Sequence, residues 1–110
     1  GTTPLYVAAS RGYAKMVRLL ISSGASVNQA TTADGTTPLF IAAQNGHART
    51  VTLLIELGAD TNYCTLLVGW SPLFVAASSG HAEVVRILLA AGADKTVATT
   101  ARHLDVEADC

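Results

Sequence analysis

Three near-copies of one phrase divide the chain: GTTPLYVAASRGY from Gly1, GTTPLFIAAQNGH from Gly35 and GWSPLFVAASSGH from Gly69. Their starts are 34 residues apart in both intervals. A fixed period of roughly 20 to 50 residues marks a repeat array, in which one small unit cannot bury its apolar face alone and does so by stacking on its copy. Each unit must therefore carry a face that fits the next.

The middle copy shows what the unit is. Thr37-Pro38 predicts a helix start, because a Thr hydroxyl can accept a first-turn amide and Pro needs no partner at the first helical position. Leu39, Ile41, Ala42 and Ala43 follow, and Gly46 predicts the stop. A helix of about eight residues does not stand alone in water, where isolated helices under roughly 12–15 residues are marginal. The recurring pairs Ala8-Ala9, Ala42-Ala43 and Ala76-Ala77 allow a neighbouring helix to come close. A second helix is predicted from about Ala48 to Leu57, ending at Gly58, with Val51, Leu54 and Ile55 on one face. Their counterparts are Val17, Leu20 and Ile21, then Val85, Leu88 and Leu89. Arg49, Thr52 and Glu56 fall on another face and can stay wet, and Glu83 with Arg86 can form a surface pair. Gly24-Ala25-Ser26, Gly58-Ala59-Asp60 and Gly92-Ala93-Asp94 predict turns, and the aperiodic stretch after each of the first two predicts an extended, hairpin-like arm.

At 110 residues the chain is read as a single domain, 1–110. Half of its residues are hydrophobic, many of them alanine, and the net charge is −1. That charge offers no long-range attraction to nucleic acid or an anionic membrane. No apolar run approaches the ~18–20 residues of a membrane helix, and no signal peptide is visible. Cys64 and Cys110 lie in no CxxC and no Cys/His cluster, so they read as incidental thiols in an intracellular, cytoplasmic setting.

The pattern Gly-x-Thr-Pro-Leu-x-x-Ala-Ala-x-x-Gly-His, then Val-x-x-Leu-Leu, then Gly-Ala-Asp, resembles the ankyrin repeat, whose Thr-Pro-Leu-His-x-Ala core recurs about every 33 residues. The likeness covers residues 1 to about 98. It implies an all-α solenoid of three stacked helix-turn-helix repeats with projecting hairpin arms: repeats at about 1–34, 35–68 and 69–101, and an incomplete fourth repeat or cap at 102–110. The period is one residue longer than the family's, and Thr31 or Thr65 in the arm is the candidate for the extra residue. Tyr6, Phe40 and Phe74 stand where the family has His after Thr-Pro-Leu, which suggests an aromatic ladder along the stack. The family's inter-helix His is kept at His47 and His81 and replaced by Tyr13. The arm-turn Asp is replaced by Thr32 and Leu66, and TARHLDVEADC lacks the opening Gly and Thr-Pro. The chain reads as an excerpt of a longer array.

Catalytic chemistry finds no support. His81-Ala82-Glu83 is half of a zinc deaminase signature without its P-C-x-x-C half. His47 at the equivalent place favours a structural role instead: an imidazole bonding loop backbone to hold neighbouring repeats in register. No phosphate loop, nucleophile elbow, HExxH or dinucleotide fingerprint occurs, and no cofactor, metal or small-molecule substrate is expected. Lys15, Arg18 and Arg11 form a small basic group that reads as a solvated helix face.

The second arm, NYCTLLVGW, is apolar where the first, NQATTADGT, is polar. In the resembled family, arm tips and concave helix ends carry partner contacts. Carried over, these are Ala33, Asp34, Thr36, Gln44 and Asn45 in one repeat, and Leu67, Val68, Trp70, Ser78 and Ser79 in the next. Trp70 and Leu67 are the expected anchors, rimmed by Gln44, Asn45, Asp34 and Arg11. Two readings of this arm stand: an interface anchor, or Leu66 to Trp70 packed against the neighbouring arm for stability alone. The chain is thus expected to be a monomeric protein–protein interaction module that recognises another protein with a rigid surface. The alternative is a non-catalytic recognition or spacer segment of a larger multidomain enzyme or scaffold.

Overall fold

The computed structural model describes residues 3–31, 35–63, 65 and 69–92. These hold six helices: α1 (Pro4–Ser10), α2 (Ala14–Ser22), α3 (Pro38–Gln44), α4 (Ala48–Glu56), α5 (Pro72–Ser78) and α6 (Ala82–Ala90). Helices α1, α3 and α5 stand side by side in one row, and α2, α4 and α6 in a second. Each first-row helix also packs on the helix that follows it. The expected stack is what the chain forms. The tail 102–110, Gly1, Thr32, Cys64, Leu66, Ala93, Asp94 and Cys110 lie outside the described residues.

Each first-row helix begins by the same device. The side chains of Thr3, Thr37 and Ser71 accept the amides of Tyr6, Phe40 and Phe74, each at 3.1 Å, with Pro as the next residue. Thr37 is buried, so its amide partner has no water to turn to. Thr37→Ala is therefore expected to cost about 1 kcal/mol, and up to ~2, read as a lower urea midpoint. The helix ends are also shared. For α3, the Gly46 amide reaches the Ala43 carbonyl at 3.2 Å and the His47 amide reaches Ala42 at 3.0 Å, the double closure that a left-handed Gly allows.

The core runs along the seam between the rows. Ala8, Ala9, Ala42, Ala43 and Ala76 are buried there, as their small size requires. Ala77 is exposed, because no described element covers that side of α5. Val17, Val51, Leu54 and Leu88 are fully buried, whereas Leu20, Ile21, Ile55 and Val85 are half-buried and Leu89 is exposed. Val84 takes the place of Val85 in the core because α6 is flanked by α4 on one side only. In α4, packed on both sides, Thr50 and Leu53 are buried as well. Thr52 is half-buried with its hydroxyl donating to the Ala48 carbonyl at 3.1 Å, and Arg86 donates to Glu83 on the surface of α6.

The two arms close identically at their base. The Thr31 amide donates to the Thr36 carbonyl at 3.0 Å and the Gly35 amide to the Thr31 carbonyl at 3.1 Å. The Thr65 amide meets the Trp70 carbonyl, and the Gly69 amide the Thr65 carbonyl, both at 3.0 Å. The Thr31 and Thr65 hydroxyls accept the amides of Thr36 and Trp70, both at 3.2 Å. These two threonines, the candidates for the extra residue, are thus the latch of each arm. Below the arms, the Asn28 side chain accepts the Asp60 amide at 2.8 Å, tying one turn to the equivalent turn of the next repeat.

Candidate partner-binding surface

The surface grows from the C-terminal ends of the first-row helices. Ser10, Gln44 and Ser78 are the last residues of α1, α3 and α5, and Arg11, Asn45 and Ser79 are their C-caps. The repeat places these residues in a row across the stack. Arg11, Gln44, Asn45, Ser78 and Ser79 are all exposed, so five of the residues expected at the interface share one edge.

Residues of this edge also hold the stack together. The Asn45 side-chain nitrogen donates to the Ser10 carbonyl at 2.9 Å and lies 3.3 Å from the Ser10 hydroxyl. His47 Nε2 lies 2.9 Å from that same carbonyl, and His81 Nε2 lies 3.0 Å from the Gln44 carbonyl. A carbonyl only accepts, so Nε2 carries the hydrogen in both rings. The predicted register-holding role of both histidines is present in the geometry. Each ring also fills the space over the glycine of the previous turn. A Cβ on Gly12 would sit 2.6 Å from His47 Nδ1, and one on Gly46 would sit 2.7 Å from His81 Nδ1. Tyr13, at the same place in the first repeat, is exposed.

Trp70 stands at the base of the second arm, 37 % exposed. Its ring centroid is 4.9 Å from that of Phe74 with the planes tilted by 55°, an attractive edge-to-face type of contact. Both its backbone amide and its carbonyl are held by Thr65, so the indole projects from a fixed point. Tyr6, Phe40 and Phe74 occupy equivalent places one repeat apart; Phe40 is buried, and Tyr6 and Phe74 are half-buried. Trp70 precedes α5, whereas Ser78 ends it, so they are separated by roughly 10 Å of helix at ~1.5 Å per residue.

Thr36 is a correction. It was expected at the interface, but it is only 5 % exposed, because the arm folds back on itself and its amide and carbonyl both bond Thr31. Trp70, at the same position one repeat on, is turned outward instead. Ala33, Asp34, Leu67 and Val68 lie outside the described residues. Arg11 does not share a surface patch with Lys15 and Arg18, near as they are in sequence. In the structure Arg11 caps α1, while Lys15 and Arg18 share a groove in the second row with Arg49. The 34-residue register, which puts Arg49 at the position of Lys15, was the signal for that grouping. Among the described residues no cluster of three or more His, Cys, Asp or Glu could hold a metal ion, and no helix is long and apolar enough to cross a membrane.

These features have counterparts elsewhere. No curated protein matches the chain. Among solved structures it is similar to the crystal structure of the human ASB11 ankyrin repeat domain, with a TM-score of 0.79 and 36 % identity over 84 % of this chain and 41 % of that one. It therefore spans less than half the length of that domain. The family model for ankyrin repeats in three copies matches residues 5–99. With that match over most of its length, and with glycine, proline and histidine each placed where the stack uses them, the chain belongs to the ankyrin repeat family.

Proposed function

We propose that this chain binds another protein through the edge formed by Arg11, Gln44, Asn45, Ser78 and Ser79 together with the arm that carries Trp70. Ankyrin repeats are in general protein–protein interaction modules and the family is typically non-catalytic. The observation that carries the reading for this chain is Trp70: a large, half-exposed aromatic whose backbone and ring are both fixed before any partner arrives. Such a side chain loses little freedom on binding, and rigid aromatics are over-represented among the residues that dominate interface energies. The apolar neighbours Leu67 and Val68 extend the same anchor in this proposal, and the polar row supplies its rim. An intracellular setting belongs to the same proposal.

The test is affinity capture with the native chain and with Trp70→Ala, scored by quantitative mass spectrometry. A partner bound through this surface is expected to be lost in the variant, with affinity down by about 30-fold or more, as for a hot-spot residue. The urea midpoint should move little, since Trp70 is not in the core. A partner retained at full affinity by Trp70→Ala would remove the arm from the binding surface. Trp70 is the only tryptophan, so its emission reports directly on this surface as the partner is titrated in.

A further inference from the structure

The second row carries a different surface. Helices α2 and α4 flank a groove of about 370 Å³ whose lining includes Lys15, Arg18, Arg49, Leu53 and Glu56. Lys15 and Arg18 are one turn apart on α2, and Arg49 repeats the position of Lys15 on α4. Three cations thus converge where the sequence as a whole has a net charge of −1. Among the described residues the ion pair formed is Glu83 with Arg86 on α6, so Lys15, Arg18 and Arg49 face the groove without an acidic partner, and Glu56 is the single carboxylate there. Leu53 and Ala14 give the groove apolar wall between the charges.

We infer that this groove is a second docking site, for an acidic peptide segment of a partner protein that places an apolar side chain against Leu53 and carboxylates against Lys15, Arg18 and Arg49. The argument is charge complementarity. A cluster of like charges repels itself and is relieved by bound anions, and a groove focuses that field more than a flat helix face does. Guanidinium groups are suited to carboxylates because their forked donors match the two oxygens. Glu56 at the groove disfavours a densely charged polyanion and leaves room for spaced carboxylates with an apolar residue between them. The site lies in the second row of helices, away from the edge that carries the proposed function.

The probe is a fluorescein-labelled peptide of sequence Ser-Glu-Leu-Glu-Leu-Glu-Ser, titrated by fluorescence polarisation at low salt. Saturable binding is expected, weakened at least about tenfold by Lys15→Glu with Arg49→Glu and by raising the salt. Arg86→Glu, outside the groove lining, should weaken binding by less than the reversal of the two groove charges does, and the gap between them should widen as salt is added. Glu56→Gln should tighten binding, and a peptide with Lys in place of Glu should not bind. Absence of saturable binding overturns the inference, as does binding that the double charge reversal leaves intact. Inorganic phosphate or a short single-stranded oligonucleotide competing at lower concentration than the peptide also overturns it, by making the groove a phosphate site. The Trp70→Ala capture reads the other surface, so the two assignments fail separately.

Discussion

Leu54→Ala is expected to lower the unfolding free energy by about 2–5 kcal/mol, with the upper half of that range favoured by its position. Leu54 is fully buried in α4, the second-row helix with neighbours on both sides. Truncation removes apolar surface from the seam and leaves a cavity that helices held by two flanking repeats cannot collapse to fill. Small domains are stable by only about 5–15 kcal/mol in all, so a loss of this size threatens the middle repeat. The stack is quasi-one-dimensional, and the main helix contacts of both outer repeats are with the middle one, so the damage should spread to both. Urea unfolding followed by circular dichroism gives the number. Leu19→Ala is the control. It occupies the position of Leu53 in the first repeat but is 62 % exposed, against 7 % for Leu53, so its cost should lie within about 0.5 kcal/mol of zero. Equal losses for Leu19→Ala and Leu54→Ala would contradict the packing described here.

Gly46→Ala is expected to cost about 2–4 kcal/mol, far more than adding a methyl group to a loop normally does. Two effects combine. Gly46 has φ of 75°, a left-handed conformation that costs an L-residue roughly 1–2 kcal/mol. The new Cβ would also lie 2.7 Å from His81 Nδ1 and 2.8 Å from its Cε1, so the ring must move and its bond to the Gln44 carbonyl must lengthen. Gly80→Ala separates these effects. It has nearly the same backbone, φ 79°, and its new methyl would meet no atom of the described residues within 4 Å, so it should show only the strain. The double variant Gly46→Ala with His81→Ala should cost less than the sum of its parts, since the clash is removed with the ring. Strict additivity would mean that the histidine plays no part in the cost. Urea midpoints for the four proteins decide it.

How much of this was legible beforehand depends on whether a residue's role lies within its own repeat. Thr37-Pro38, Gly46 and the buried Leu54 act locally, and spacing alone predicts them. Thr50 and Leu53 do not. Their counterparts Met16 and Leu19 are exposed, and the difference arises because α4 lies between α2 and α6, whereas among the described residues α2 has a second-row neighbour on one side only. Burial that comes from a neighbour cannot be read from a residue's own periodicity. Thr36 misled for a similar reason: a polar arm residue suggests water, but a hydroxyl five residues earlier takes its amide and draws it inward. Asn45 was expected to face a partner and is exposed, yet its amide already spans two repeats. The His-to-carbonyl bonds were foreseen because two equivalent histidines one period apart are hard to explain otherwise.

The ring-over-glycine contact has a direction. The later repeat always supplies the imidazole and the earlier one the glycine that receives it. The three units are therefore not interchangeable parts. Carried to the far end of the array, the first unit would present Tyr13 to Gly80 and have no imidazole to offer, whereas the second and third units each bring both halves of the joint. A permuted chain would keep its composition and its helices while losing one of its couplings, so the order of the units is itself part of what makes the array rigid.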